Sequence, residues 1–243
     1  SVTRTNFGLD ELKAAEQTFI RRWRLEPSDP EAYARGELVD PVKPIVYYID
    51  PGTPEQWRPY VKQGVEDWQA AFETAGFSNA IIARDPPSPE EDPEWSGEDV
   101  RYSVVRWAAN DTRNAQGPSV SDPRTGEIIE SDIVWYHNHM RSYRNRLMVE
   151  TGASNPLARS LDIPEVLMGE TIRQVIAHEI GHALGLPHNW IASAAFPVDS
   201  LRSPTFTEKY GVAASIMEYA RQNYIAQPGD GVTRFVRKIG PYD

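Results

Sequence analysis

The chain of 243 residues contains no cysteine. A disulfide framework and a thiolate metal site are therefore both excluded. No apolar run approaches the ~20 residues that a membrane-spanning helix needs, and no signal peptide of the usual charged-then-apolar form is present. Since the sequence starts abruptly at Ser1, we expect an excised or processed domain of a larger protein. Positive charge is in short supply: 25 Lys and Arg against 35 Asp and Glu leave a formal charge of −10. That balance speaks against a nucleic-acid partner, which would call for a basic face. Internal repeats and low-complexity tracts are also missing. Histidine is scarce, with five in all, and three of them fall in one stretch from Glu170 to His188, ETIRQVIAHEIGHALGLPH.

The spacing within that stretch points to a metal. His178 and His182 are four residues apart, so on a helix their side chains share one face and reach the same ion. Glu179 then projects beside the ion's open position, where a carboxylate can take a proton from water. Gly185 can adopt the left-handed backbone that stops a helix and turns the chain back, which would bring His188 to the same ion. Three imidazoles on zinc leave a fourth position for water, as in catalytic sites, whereas structural sites close all four. The bland alternative is a buried helix with satisfied core histidines. Ile172, Val175, Ile176, Ile180, Ala183 and Leu184 do read as core, and both readings can hold on opposite faces of one helix.

The full pattern HExxHxxGxxH, followed downstream by Ser215-Ile216-Met217-Glu218-Tyr219, resembles the metzincin clan of zinc metallopeptidases. The resemblance extends from about Pro41 to the C-terminus, through segments such as PVKPIVYYIDPGTPEQW, SDPRTGEI and SIMEYARQNYIAQPGDG, which look like a bacterial branch of the clan. It implies Zn2+ held by His178, His182 and His188, with Met217 as a hydrophobic floor beneath them. It further implies Glu179 as general base and Tyr219 as a group that stabilises the oxyanion. The fold implied is α/β (α+β): a twisted mixed sheet with two long helices above an active-site cleft, and a smaller, mostly irregular and helical C-terminal subdomain. On this scheme residues 1–40 are a leader packing on the core, 41–185 carry the sheet and zinc helix, and 186–243 carry the third ligand and the methionine turn. The activity implied is a secreted or envelope zinc endopeptidase with protein or peptide substrates. Competing readings are a peptide- or glycan-binding module that keeps zinc for structure, and a latent peptidase whose open zinc position is filled by the leader or by the stretch before the zinc helix. One departure is Asn189, where astacins have glutamate, so properties tied to that residue do not transfer.

Periodicity fills in the rest of the chain. A short helix is expected over Leu9 to Gln17 and a strand over Thr18 to Leu25. Ile45 to Ile49 has the continuous apolar character of a buried strand. Thr53, Pro54 and Gln56 resemble a capped helix start, with Trp57, Val61, Val65, Trp68 and Phe72 at helical spacing through about Ala75. Strands are expected at Ile81 to Ala83 and Val100 to Trp107, with an exposed acidic, proline-rich loop over Pro86 to Gly97. Asp122-Pro-Arg-Thr-Gly126 suits a hairpin turn, and by resemblance the segment before it is the edge strand along the cleft. A helix reaches about Thr151, on which Arg141, Arg144 and Arg146 read as a solvated face. His137 and His139 would share one face if the preceding strand ran that far, which makes a second metal imaginable. A last helix is expected near Glu218, and Gln227 to Val232 reads as a turn and not a calcium loop.

Overall fold

The computed structural model describes residues 2–8 and 12–243. An antiparallel pair, β1 (Val2–Asn6) and β2 (Ala15–Phe19), opens the chain. The expected helix is corrected here: Ala15 to Gln17 belong to β2, while Leu9 to Glu11 lie outside the described residues. The strand expected over Thr18 to Leu25 is confined to its first two residues, because beyond Phe19 the chain leaves β1 and turns to the body of the protein. There the Arg22 N–H donates to Gly126 O and the Ile128 N–H to Arg22 O. The indole of Trp23 donates to Ala183 O at 3.0 Å, and Trp23 and Leu25 pack on the core. A short helix, α1 (Pro30–Ala34), follows, capped by the Asp29 carboxylate.

The central sheet begins with β3 (Ile45–Ile49), whose residues 45, 47 and 49 are buried while Val46 and Tyr48 are half-buried. Its second face is covered by Trp95 of the acidic loop and by Tyr102 just before β5, which lie edge-on to Tyr48 with ring centroids at 5.7 and 5.6 Å. That loop is therefore only partly exposed, contrary to its composition. The next helical segment is interrupted where one helix was expected. A 3-10 turn (Glu55–Trp57) leads into α2 (Arg58–Glu66), and α3 (Gln69–Thr74) follows after Asp67 and Trp68. No side chain caps its start; Thr53 is buried and its carbonyl accepts from Arg58 Nε at 2.9 Å. At the interruption the Trp68 indole donates to Ala177 O at 2.8 Å, and Asp67 accepts two bonds from Arg173, at 2.6 and 2.7 Å. Both interactions reach the zinc-motif helix.

β4 (Ile81–Arg84), β5 (Ser103–Ala108), β6 (Ala115–Gln116) and β9 (Ile133–Tyr136) complete a five-stranded sheet in the order β4-β3-β5-β9-β6. Its pairings are parallel except for β6, which runs antiparallel along β9 at the edge. β7 (Ser119–Ser121) and β8 (Ile128–Ser131) form the expected hairpin, with Gly126 at φ +75°. α4 (His139–Thr151) and α5 (Glu165–Ala183) follow. α5 is buried along most of its length, with Ile172, Ile176 and Ile180 at 0 % exposure. Each such side chain contributes about 1.5–3 kcal/mol of burial free energy, so α5 is fixed as the spine of the core. Beyond it the chain is mostly irregular, with α6 (Val198–Leu201) and α7 (Pro204–Tyr210). The helix expected near Glu218 does not form. Its backbone is satisfied otherwise, since the Glu218 carboxylate accepts the N–H groups of Tyr219 and Ser193, and Arg237 takes the Glu218 carbonyl. The mixed α/β architecture expected from the resemblance is the one observed, with α5 as its long helix and α2 and α3 as the interrupted second.

Candidate metal centre

Because α5 is regular through the motif, His178 and His182 stand one turn apart on one face, with ring centroids at 4.8 Å. The helix stops in a Schellman arrangement: the Gly185 N–H donates to His182 O and the Leu186 N–H to Gly181 O, both at 3.0 Å. Gly185 has φ +101°, and a Cβ there would meet Arg21 O at 2.3 Å, so only glycine fits both the turn and the leader packed on it. The reversal brings His188 to 4.6 Å from His182 and 5.3 Å from His178, between ring centroids. One nitrogen from each of the three rings lies within 4.8 Å of the others.

Backbone carbonyls orient two of the rings. His178 Nδ1 donates to Ile216 O at 2.7 Å and His182 Nδ1 to Leu186 O at 2.9 Å. A carbonyl only accepts, so each Nδ1 carries the proton and each Nε2 presents a lone pair. Nε2 of His178 is buried with no hydrogen-bond partner, a state that costs ~1–3 kcal/mol unless something meets it. Nε2 of His182 and Nε2 of His188 are 3.0 Å apart, close to the ~3.3 Å between two nitrogens on a tetrahedral zinc. Burial pulls the His178 imidazole down to about 3, so it is neutral and free to ligate at any ordinary pH. These residues fit a zinc ion.

Glu179 is 9 % exposed, and burial pushes its carboxyl up to about 7, with Arg237 opposing the shift. Below the histidines, Met217 is 2 % exposed and occupies the space left by a glycine of the helix. A Cβ on Gly181 would lie 2.1 Å from Met217 Sδ. Tyr219 stands 4.1 Å from His188 and 5.4 Å from His178 between ring centroids, and is 55 % exposed. The structure thus brings together all six residues singled out for this site in the sequence.

Three contributors went unnoticed there. Gly181 sits inside the motif at one of its unspecified positions. Asp243 holds the methionine turn from behind, accepting from Ser215 Oγ at 2.5 Å, Ile216 N at 2.7 Å and Gly240 N at 2.8 Å. Arg237, 7 % exposed, donates to the Glu218 carbonyl and, at 3.5 Å, to Ile216 O. No periodicity or spacing signals either of these last two. His139 was singled out only as half of a second metal pair with His137, and the structure places the two apart: β9 ends at Tyr136, so His139 opens α4 between Trp135 and Tyr143, while His137 is exposed beside Trp107. The two do not share a strand face, and among the described residues the only cluster suited to a metal is His178, His182 and His188.

The site opens into a cleft of about 480 Å³ lined by His139, Arg146, His178, Glu179, Tyr219 and Arg237, among others, with Asn114 and Ala115 at the β6 edge. Arg146 thus faces the cleft and not only solvent. A second cavity, of about 440 Å³, lies on another flank of α5 and contains none of the three histidines. No described leader residue lines the cleft. No curated protein and no solved structure matches the chain. Residues 160–243, which hold the three histidines, Glu179, Met217 and Tyr219, match the model of a protein family described as Met-zincin, and this match over the last third of the chain supports a metzincin-type zincin.

Proposed function

We propose that the protein is a zinc-dependent endopeptidase acting on protein or peptide substrates. The observation that carries this reading is the trio of converging imidazoles with a buried carboxyl, Glu179, next to the first of them. When bound there, zinc supplies Lewis acidity and lowers the pKa of a water from about 15.7 to roughly 7. Glu179 takes a proton from the attacking water and passes it to the leaving nitrogen. Its carboxyl, poised by burial near 7, suits both halves of that transfer. Tyr219 donates its hydroxyl hydrogen to the developing oxyanion. β6, two residues long at the sheet edge, offers unpaired backbone to which an extended substrate can add as a further strand. A larger secreted or envelope protein is the setting we infer from the resemblance, and cell fractionation tests it.

A binding module that keeps zinc only for structure has no use for a carboxyl beside an open coordination position. Latency imposed by the leader finds no support among its described residues, none of which lines the cleft. The test is Glu179→Gln: zinc stays bound at one equivalent, while turnover of a peptide library falls ~10²–10⁴-fold. Near-normal turnover in that variant removes Glu179 from the reaction, and failure of the parent protein to release new amino termini in a chelator-sensitive way rejects the peptidase reading.

A further inference from the structure

The cleft next to Glu179 is cationic, although the chain as a whole carries −10. Arg146, Arg221 and Arg237 all line it. Arg221 is spoken for: its Nη1 lies 3.2 Å from Glu150, whose other oxygen accepts the Gln222 N–H. Arg146 has no carboxylate partner among the described residues, and its guanidinium rests over the Tyr143 ring at 5.2 Å. Stacking of this kind fixes the direction of the cation without neutralising it. Arg237 is buried, and the acceptors it has are the carbonyls of Ile216 and Glu218, not a carboxylate. Val175 and the Tyr143 ring give the same cavity apolar wall. Two guanidinium groups that hydrogen-bond no carboxylate, Arg237 at depth, where Glu179 is the nearby acid, and Arg146 on α4, therefore face a space wide enough for a side chain.

We infer that this cleft is a specificity pocket for an acidic side chain, that of the residue supplying the leaving nitrogen of the scissile bond. The inference rests on the peptidase reading, and the side of the bond follows from Glu179. The carboxyl that returns a proton to the departing amine lines the same cavity, so the residue attached to that amine enters it. A carboxylate there meets Arg146 by a planar, bidentate contact and displaces water from Arg237. The acidic groups facing the pocket are Glu150, engaged by Arg221, and Glu179 itself.

The test uses two fluorogenic peptides identical except for Asp or Leu just after the scissile bond, with the zinc-loaded protein. The Asp peptide is expected to give a kcat/KM at least tenfold higher. Arg146→Glu reverses the preference and Arg146→Gln reduces it severalfold. Binding is read separately by titrating the uncleaved peptides into zinc-loaded Glu179→Gln, where the Asp peptide binds at least fivefold tighter and loses that advantage with Arg146→Glu. Cleavage with no preference for Asp, or a preference indifferent to both Arg146 variants, overturns the inference and leaves the peptidase reading intact. If no peptide is cut, the peptidase reading fails, and the binding titration still decides whether the pocket takes a carboxylate.

Discussion

The two halves of the metal centre are held in opposite ways. His178, Glu179 and His182 ride on α5, where an unbroken backbone ladder and a buried apolar face set their positions. Met217 and Tyr219 sit in irregular chain, held by side chains that arrive from far along the sequence: Asp243 on Ser215 and Ile216, Arg237 on Ile216 and Glu218. The first half is rigid because its own residues make it so. The second is rigid only as long as a few distant clamps stay in place.

The junction between the halves is where the largest effect is expected. Gly185→Ala combines a left-handed backbone with a contact on Arg21 O, so about 3 kcal/mol or more of stability is lost and His188 is displaced. Urea midpoints together with zinc stoichiometry read this out, and an unchanged midpoint would show that the turn is not under the constraint described. Next comes Tyr219→Phe, which leaves the helical half untouched and lowers kcat ~10²-fold with KM nearly constant; an unchanged kcat takes Tyr219 out of the reaction. Asp243→Ala removes acceptors from three donors at ~1–3 kcal/mol for each one left buried and unpaired. Hydrogen exchange should then accelerate over residues 215–219 while 170–183 stays protected, and equal acceleration in both would contradict the division drawn here.

The smallest effect concerns His139, whose imidazole burial pulls down to about 4, with Arg146 adding to the shift. The unfolded chain takes up this proton near pH 6.5 and the folded one only near 4. Stability is therefore full above about pH 6.5 and falls as the pH drops toward 4. In metal-free protein, His139→Phe should be less sensitive than the parent to a change from pH 7.5 to 4.5, as judged by urea midpoints. Parallel losses in the two proteins would remove His139 as the cause.

What could be read from the sequence follows the same line. The zinc helix, the hairpin at Asp122 to Gly126 and the strands at Ile45 and Ile81 are specified by residues close together in the chain, and the structure contains them. Misreadings occur where distant partners decide. Trp68 and Asp67 reach Ala177 and Arg173, and there the helix expected as far as Ala75 is interrupted. Residues after Phe19 prefer the hairpin and the end of α5 to continued pairing with β1. The Glu218 region stays irregular because Ser193 and Arg237 engage it from outside. Met217 and Tyr219 are legible through the resemblance to the clan and not through periodicity, whereas the local sequence around Arg237 and Asp243 carries no signal of their role, because both act on partners about 20 or more residues away.

Gly117, just beyond β6, passes so near the zinc helix that a Cβ on it would lie 2.4 Å from the Glu179 carbonyl oxygen. Nothing intervenes there to act as a cushion. If the proposed docking of a strand along β6 shifts this rim, even by a few tenths of an ångström, the push falls directly on the peptide unit of Glu179, and occupancy of the rim is felt in the histidine-bearing helix as a mechanical load.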